Sequence, residues 1–214
     1  MTGPESAAPE PVATPRRRGR PADAEIDERV LAAGVKLFAE VGWKAFNLDG
    51  VAREARVGKA ALYRRWPTRE ALITDALERI VVPDLDFDTG SLRGDLLELG
   101  GYIWQVSLST TGSMLMRVAV EAHLEPGIFG PRLAEIVGQQ TELGRAIVRR
   151  AVARGEVPAE VSSRLVIQAM SGAIQNRVLY TSPEQLAELD QQRDEVLDQV
   201  VDFVIAGMLG SVRS

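Results

Sequence analysis

The chain has no cysteine, a single histidine and few aromatic residues: three Trp, three Tyr and five Phe in 214 residues. Without cysteine there is no disulfide framework, no thiolate metal site and no cysteine nucleophile. One histidine leaves no His pair for an H-E-x-x-H metal site. Neither a G-x-S-x-G elbow nor a G-x-x-x-x-G-K-[ST] phosphate loop occurs, so no catalytic constellation is present and an enzyme is not expected. No cofactor is implied. Long hydrophobic runs are also missing: no segment approaches about eighteen uninterrupted apolar residues, and the N-terminus lacks the apolar core of a signal peptide. A soluble, cytoplasmic protein is the expectation. Sustained period-two alternation is absent as well, which leaves an all-α chain of about nine helices.

What is present is an uneven distribution of charge. The net charge is −5, yet residues 1–82 hold 14 Lys+Arg against 12 Asp+Glu, while the remainder holds 11 against 18. Between Lys44 and Arg69 seven basic residues face only Asp49 and Glu54. A polyanion responds to charge within a Debye length of about 8 Å, so this segment can attract one despite the acidic whole.

Residues 1–22 read as a disordered basic arm: a Pro- and Ala-rich stretch with nothing to pack, then "RRRGRP" at 16–21. The arm has two readings. Arg18 and Arg20 around Gly19 fit a narrow minor groove, or they form a solvated tail that adds salt-sensitive affinity; contact with DNA is the expectation. From Asp23 the period is helical, with Ile26, Val30, Ala33, Leu37 and Val41 on one face and Gly42 as a stop. Asn47 stands at an N-cap position before Leu48, Val51, Ala52 and Ala55; "RVG" at 56–58 breaks that helix; Lys59–Trp66 forms another, stopped by Pro67. Thr68 caps a fourth helix running to about Val82. Later helical patterns run from Ser91 to about Thr110, Met114–Leu124, Pro131–Arg154, Ala159–Tyr180 and Asp190–Leu209.

Two short helices joined by a tight turn make a helix-turn-helix. With Leu62 facing inward beside Val51, Ala52 and Val57, the residues Ala60, Ala61 and Arg64 share the outward face, flanked by Lys59 and Tyr63. Small residues there allow a backbone to approach closely, and long donors beside them reach phosphates and base edges. Trp66 lies on the Leu62 face and reads as core; Arg65 fits either role.

The stretch "VLAAGVKLFAEVGWKAFNLDGVAREARVGKAALYRRWPTREALI" resembles the DNA-binding domain of the tetracycline-repressor (TetR) family over roughly residues 24–73. The shared pattern is Leu37-Phe38, Gly42, Val51-Ala52, Val57, Lys59, Leu62-Tyr63, Trp66 and Arg69-Glu70-x-Leu72. The resemblance implies that Asn47, Lys59, Tyr63 and Arg69 meet phosphates, while Ala60, Ala61 and Arg64 look into the major groove. Gly58 stands where Ser is usual, Arg56 where Gly is usual and Ala61 where Thr is frequent. It also implies a helix-turn-helix domain at 23–67 and a ligand-binding and dimerisation domain at 68–214.

The last two helical patterns are apolar on more than one side, so either a monomer core or a second copy must cover the excess. The resemblance favours a homodimer joined through residues 159–180 and 190–209. Unlike side chains between the two regions suggest a small-molecule site, and Phe87, Tyr102, Gln105, Met116, His123, Phe129 and Met170 are the candidates for it. Taken singly, each of them fits a core position better than a pocket. His123 lies between Glu121 and Glu125, but alternate residues fall on different helix faces, so no metal site is expected. The combined expectation is a dimeric repressor released from a palindromic double-stranded DNA operator by a small-molecule effector. The alternative is a helical ligand-binding or interaction module without sequence-specific DNA binding.

Overall fold

The computed structural model describes residues 20–79 and 85–210. Among them are ten α-helices and no strand: α1 (Arg20–Ala45), α2 (Leu48–Glu54), α3 (Lys59–Arg65), α4 (Arg69–Glu78), α5 (Leu92–Ser107), α6 (Thr110–Leu124), α7 (Pro126–Ala153), α8 (Ser163–Leu179), α9 (Leu186–Gln191) and α10 (Arg193–Gly210). A 3-10 turn at Pro183–Gln185 leads into α9. Arg18 and the residues before it lie outside the described chain, as do the side chain of Arg20 and residues 80–84, where the fourth helix was expected to continue.

Side-chain caps set the helix starts. Asn47 accepts from the Gly50 amide at 2.8 Å, Thr68 from Ala71 at 3.1 Å, and Ser91 from Gly94 at 3.1 Å. Each satisfies an N–H that the first turn leaves unpaired. Helix α7 starts five residues earlier than its pattern suggested. Pro126 takes the first-turn position, and Pro131 is tolerated inside the helix. The short α9 went unnoticed in the pattern. It is held by buried Leu189 and by Asp190, which accepts from Trp104 Nε1 at 2.8 Å.

Two hydrophobic cores result. The first joins α1–α4 to residues of α6 and the front of α7: Phe38, Val51, Leu62 and Leu72 pack with Met114, Val118 and Phe129. It extends across the 67/68 boundary between the expected domains. The second lies among α5, α8, α10 and the back half of α7, around Leu96, Trp104, Ile147, Met170, Ile174 and Val201. At the α7–α8 crossing a Cβ on Gly144 would stand 2.3 Å from Ile167 Cγ1 and 3.0 Å from the Ser163 carbonyl oxygen, so only glycine lets these helices approach this closely. Asp95, fully buried at the start of α5, is satisfied by the Thr89 amide (2.6 Å), the Thr89 hydroxyl (2.9 Å) and Arg154 (3.2 Å).

Gly42 interrupts α1 with φ 71° and ψ 176°, a conformation open essentially to glycine alone. The break frees backbone groups, and α6 satisfies them. Glu121 accepts from the Trp43 amide at 3.0 Å, and Arg117 donates to the carbonyls of Ala39 (3.3 Å) and Glu40 (3.4 Å). The first helix is thereby fastened to the body by polar contacts as well as by apolar packing.

Candidate nucleic-acid interface

Helices α2 and α3 meet through a four-residue turn at 55–58. Ala52 accepts from the Val57 amide at 3.0 Å and Arg53 from the Arg56 amide at 3.2 Å, closing α2 in a Schellman-type cap. Arg56 takes the left-handed position, φ 54°, which explains why glycine is usual there. Leu62 points into the first core at 1% exposure, and buried Trp66 donates its Nε1 to Asp75 at 2.9 Å. Arg65 pairs with Asp27 at 3.0 Å and is half-buried, tying α3 to α1.

With the inner face fixed, the outer face carries Lys59, Ala60, Tyr63 and Arg64, all exposed, and Ala61, half-buried. Tyr63 is 44% exposed, unusually open for a large ring on a short helix. Arg64 makes no ion pair among the described residues, so its guanidinium is free to meet a ligand. Lys59 and Tyr63 instead converge on one carboxylate. Asp49, in the first turn of α2, accepts from Lys59 Nζ at 2.7 Å and from the Tyr63 hydroxyl at 3.3 Å. The hydrogen bond from Lys59 holds the Asp49 carboxyl below the usual carboxylate range, and Asp49 in turn raises Lys59.

Asn47 spends its side chain on the α2 cap and on the Ala45 carbonyl, at 2.9 Å, while remaining exposed. Arg69 is more committed. Its Nη1 donates to the carbonyls of Trp43 (3.1 Å) and Phe46 (3.3 Å), and its guanidinium lies 4.1 Å above the Trp43 ring. Arg69 therefore braces the end of α1 against α4.

The body contains a cavity of about 780 Å³ between α5, α6, α7 and α8. Leu99, Ile103, Leu115, Ile136, Leu143 and Ile167 give it an apolar lining. Tyr102, Ser171 and Gln175 add polar groups that make no hydrogen bond among the described residues. At its rim Arg150 pairs with Asp86 (2.7 Å) and Arg145 with Glu142 (2.5 Å), whereas Arg149 has no ion pair among the described residues. Burial raises the Tyr102 phenol, which keeps it a neutral donor.

Of the seven sequence candidates for a ligand site, Tyr102 alone lines this cavity. Phe87 and Gln105 line, with Tyr102, a shallower groove of about 630 Å³ between α5 and α10. Met116 is exposed on α6, and His123 is exposed with Nδ1 2.8 Å from the Ala119 carbonyl. Phe129 stacks on Phe38 at 5.3 Å in the first core, and Met170 is fully buried beneath Gly100. Residue type nominated these four, but helix rotation turns them elsewhere. Residue type and spacing do not single out Asp49, Arg117, Glu121 or Arg149 as site residues. Arg117 and Glu121 stand at i, i+4 and look like a surface pair; nothing local signals that α1 is their partner.

Comparison with known proteins places the chain. A family model described as "Tetracyclin repressor-like, C-terminal domain" matches residues 86–204, and one described as "Bacterial regulatory proteins, tetR family" matches residues 30–76. An uncharacterized HTH-type transcriptional regulator of Mycobacterium tuberculosis is 33% identical over 135 residues, covering 61% of this chain and 65% of that one. The chain thus spans just under two thirds of that relative. The HTH-type transcriptional regulator AqdR of Rhodococcus erythropolis is 31% identical over 159 residues, covering 74% of this chain and 76% of its own. Among solved structures, MexZ, a repressor responsible for antibiotic resistance in Pseudomonas aeruginosa, superposes with a TM-score of 0.63 at 20% identity, covering 84% of this chain and 94% of that one. Salmonella enterica GusR does so with 0.62 at 17% identity, covering 89% and 100%. At those identities the structural likeness speaks for the fold.

Proposed function

This chain belongs to the tetR family of bacterial regulatory proteins, a family of helix-turn-helix DNA-binding transcriptional regulators and not of enzymes; we propose that it acts as a dimeric repressor released from a palindromic operator by a small molecule. The observation that carries the DNA-binding part is the outward face of α3. A rigid inner face, built on Leu62, Trp66 and the Arg65–Asp27 pair, presents Ala60, Ala61 and unpaired Arg64 to solvent. That division supports Arg64 as a bidentate donor to guanine in the major groove, with Lys59, Tyr63 and Asn47 on phosphates. Arg69, already braced, contributes mainly by holding the α1–α4 corner in place. Arg18 and Arg20 of the arm are proposed to add backbone or minor-groove contact. Acting on DNA assigns the protein to the cytoplasm.

A dimer accounts for the exposed apolar groups on the last long helices. Leu165, Leu179 and Tyr180 at α8, with Phe203 and Leu209 on α10, are 46–79% exposed, apolar surface that a second copy can cover. Two copies of α8 and α10 would cover each other, and the pair would read two half-sites about 34–36 Å, or a multiple, apart.

The cavity fits an effector of small-molecule size, mostly apolar, with a hydrogen-bonding end near Tyr102, Ser171 and Gln175 and room for an acidic group at Arg149. Its wall includes Leu115 of α6, the helix whose Arg117 and Glu121 hold α1. An effector that prefers one α6 position would thereby favour one orientation of the reading head, and only that difference in affinity can shift DNA binding. A gel shift against the DNA upstream of the protein's own gene, with size measurement of the free protein, tests this reading. A retarded complex with a dimer supports it; a monomer that leaves that DNA unshifted contradicts it.

A further inference from the structure

We propose that Asp49 is an internal stand-in for a DNA phosphate, forming a latch across α2 and α3 that duplex binding must open. The proposal rests on the reading that α3 enters DNA. Asp49 uses both carboxylate oxygens, Oδ2 for Lys59 and Oδ1 for Tyr63, and these two partners sit one helical turn apart on α3. A backbone phosphate offers the same pattern, two unesterified oxygens sharing one negative charge. The exchange therefore replaces one carboxylate with one phosphate, donor for donor, and leaves no donor unpaired on either side.

The carboxylate is not needed as a cap for α2. The α2 start is already capped by Asn47, and all three side chains in the latch are exposed. Arg53 also bears on Asp49 and Lys59, as a positive neighbour on α2. The contact lowers Asp49 and raises Lys59, so both groups stay charged at neutral pH and the contact is available to the DNA-free protein. Arg64, one position beyond Tyr63, stays outside it. The consequence is a division of labour: the residue proposed to read bases is available at once, while the phosphate donors must first be released. Removing Asp49 frees these donors and also removes a like charge that would otherwise face the phosphates.

The test compares full-length wild type, Asp49→Ala, Asp49→Asn, Lys59→Ala and the Asp49→Ala/Lys59→Ala double variant on a random-sequence duplex of about three helical turns. Affinity is followed by fluorescence anisotropy across a KCl series. Asp49→Ala is expected to bind about two- to five-fold tighter, the range set by exposed ion pairs. Its plot of log affinity against log salt is expected to steepen by up to about one unit, because one more cation is available to displace counterions. In the Lys59→Ala background the gain from Asp49→Ala shrinks, since the main partner has gone. Asp49→Asn, which keeps the shape of the turn, shows the same direction with an unchanged melting temperature. If Lys59→Ala weakens binding but neither Asp49 variant strengthens it, the latch is refuted and the recognition surface survives. If Lys59→Ala binds like wild type, Lys59 is no phosphate donor and the latch is refuted, while the Arg64 assignment stands or falls on its own variant.

Discussion

The two hydrophobic cores of this molecule are built on different plans. The first is centred on aromatic rings: Phe38, Trp43, Phe46 and Phe129 form a circuit of four ring contacts at 5.3–6.3 Å, two stacked and two edge-on, and Arg69 caps Trp43 from above. The second is mainly aliphatic and borders an open volume of about 780 Å³. Flat, stiff rings held both face to face and edge to face leave little room for motion, and that suits a head proposed to present α3 at a fixed angle. Branched aliphatic chains around a void suit the proposed effector chamber. The two meet at α6, whose Met114 and Val118 belong to the first core while Leu115 faces the cavity. Rigidity and space are thus joined by one helix.

The most severe way to break this arrangement is Gly42→Ala. The residue would have to keep φ 71°, and its Cβ would sit 3.0 Å from Arg117 Nη1, so stability should fall by about 2–3 kcal/mol. A denaturant titration showing a loss below about 1 kcal/mol would mean the α1–α6 joint relaxes freely. Next in size is a matched pair of enlargements. Ala52→Leu, in the tight first core, should cost about 1–3 kcal/mol by overpacking, whereas Ala146→Leu, on the cavity wall, should cost well under about 1 kcal/mol. Equal costs in thermal melts would erase the distinction between the cores.

The joint itself is probed by Glu121→Gln with Arg117→Ala. DNA affinity without effector should change little, while the drop caused by effector should shrink by about five-fold or more, the low end of ordinary allosteric coupling. An unchanged effector response in DNA titrations would show that the α1–α6 joint does not carry the signal. The smallest expected effect is a gain. Arg56→Gly relieves the left-handed turn and should raise stability by up to about 1 kcal/mol. A melting temperature that falls would show that Arg56 makes a compensating contact.

The legibility of the sequence divides along the same line. In the head, function and fold impose one spacing: Leu62 must be inside for Lys59, Ala60 and Arg64 to be outside, so a short window of residues carries both facts. Asn47 and Thr68 were readable because a cap acts within three residues of itself. In the body the contacts that matter are remote. Glu121 meets Trp43 across 78 positions, and the cavity is what is left over when four helices settle at particular rotations. That is why Met116, His123, Phe129 and Met170 were nominated by type yet face solvent or core, while Ser171, Gln175 and Arg149 were passed over. Asp49 was hidden for a different reason: an acidic residue in a first turn already has an ordinary explanation in the helix dipole.

The claim beneath all of this is that the exposed side of α3 reads base sequence. Selection of bound sequences from a random duplex pool, run in parallel with wild type and Arg64→Ala, tests it most directly. Wild type should enrich a two-fold symmetric site, and Arg64→Ala should lose its preference at one base pair in each half, a discrimination of about 1–3 kcal/mol, with the rest of the site intact. Enrichment of the same full motif by both proteins, or of no motif by wild type, would contradict it.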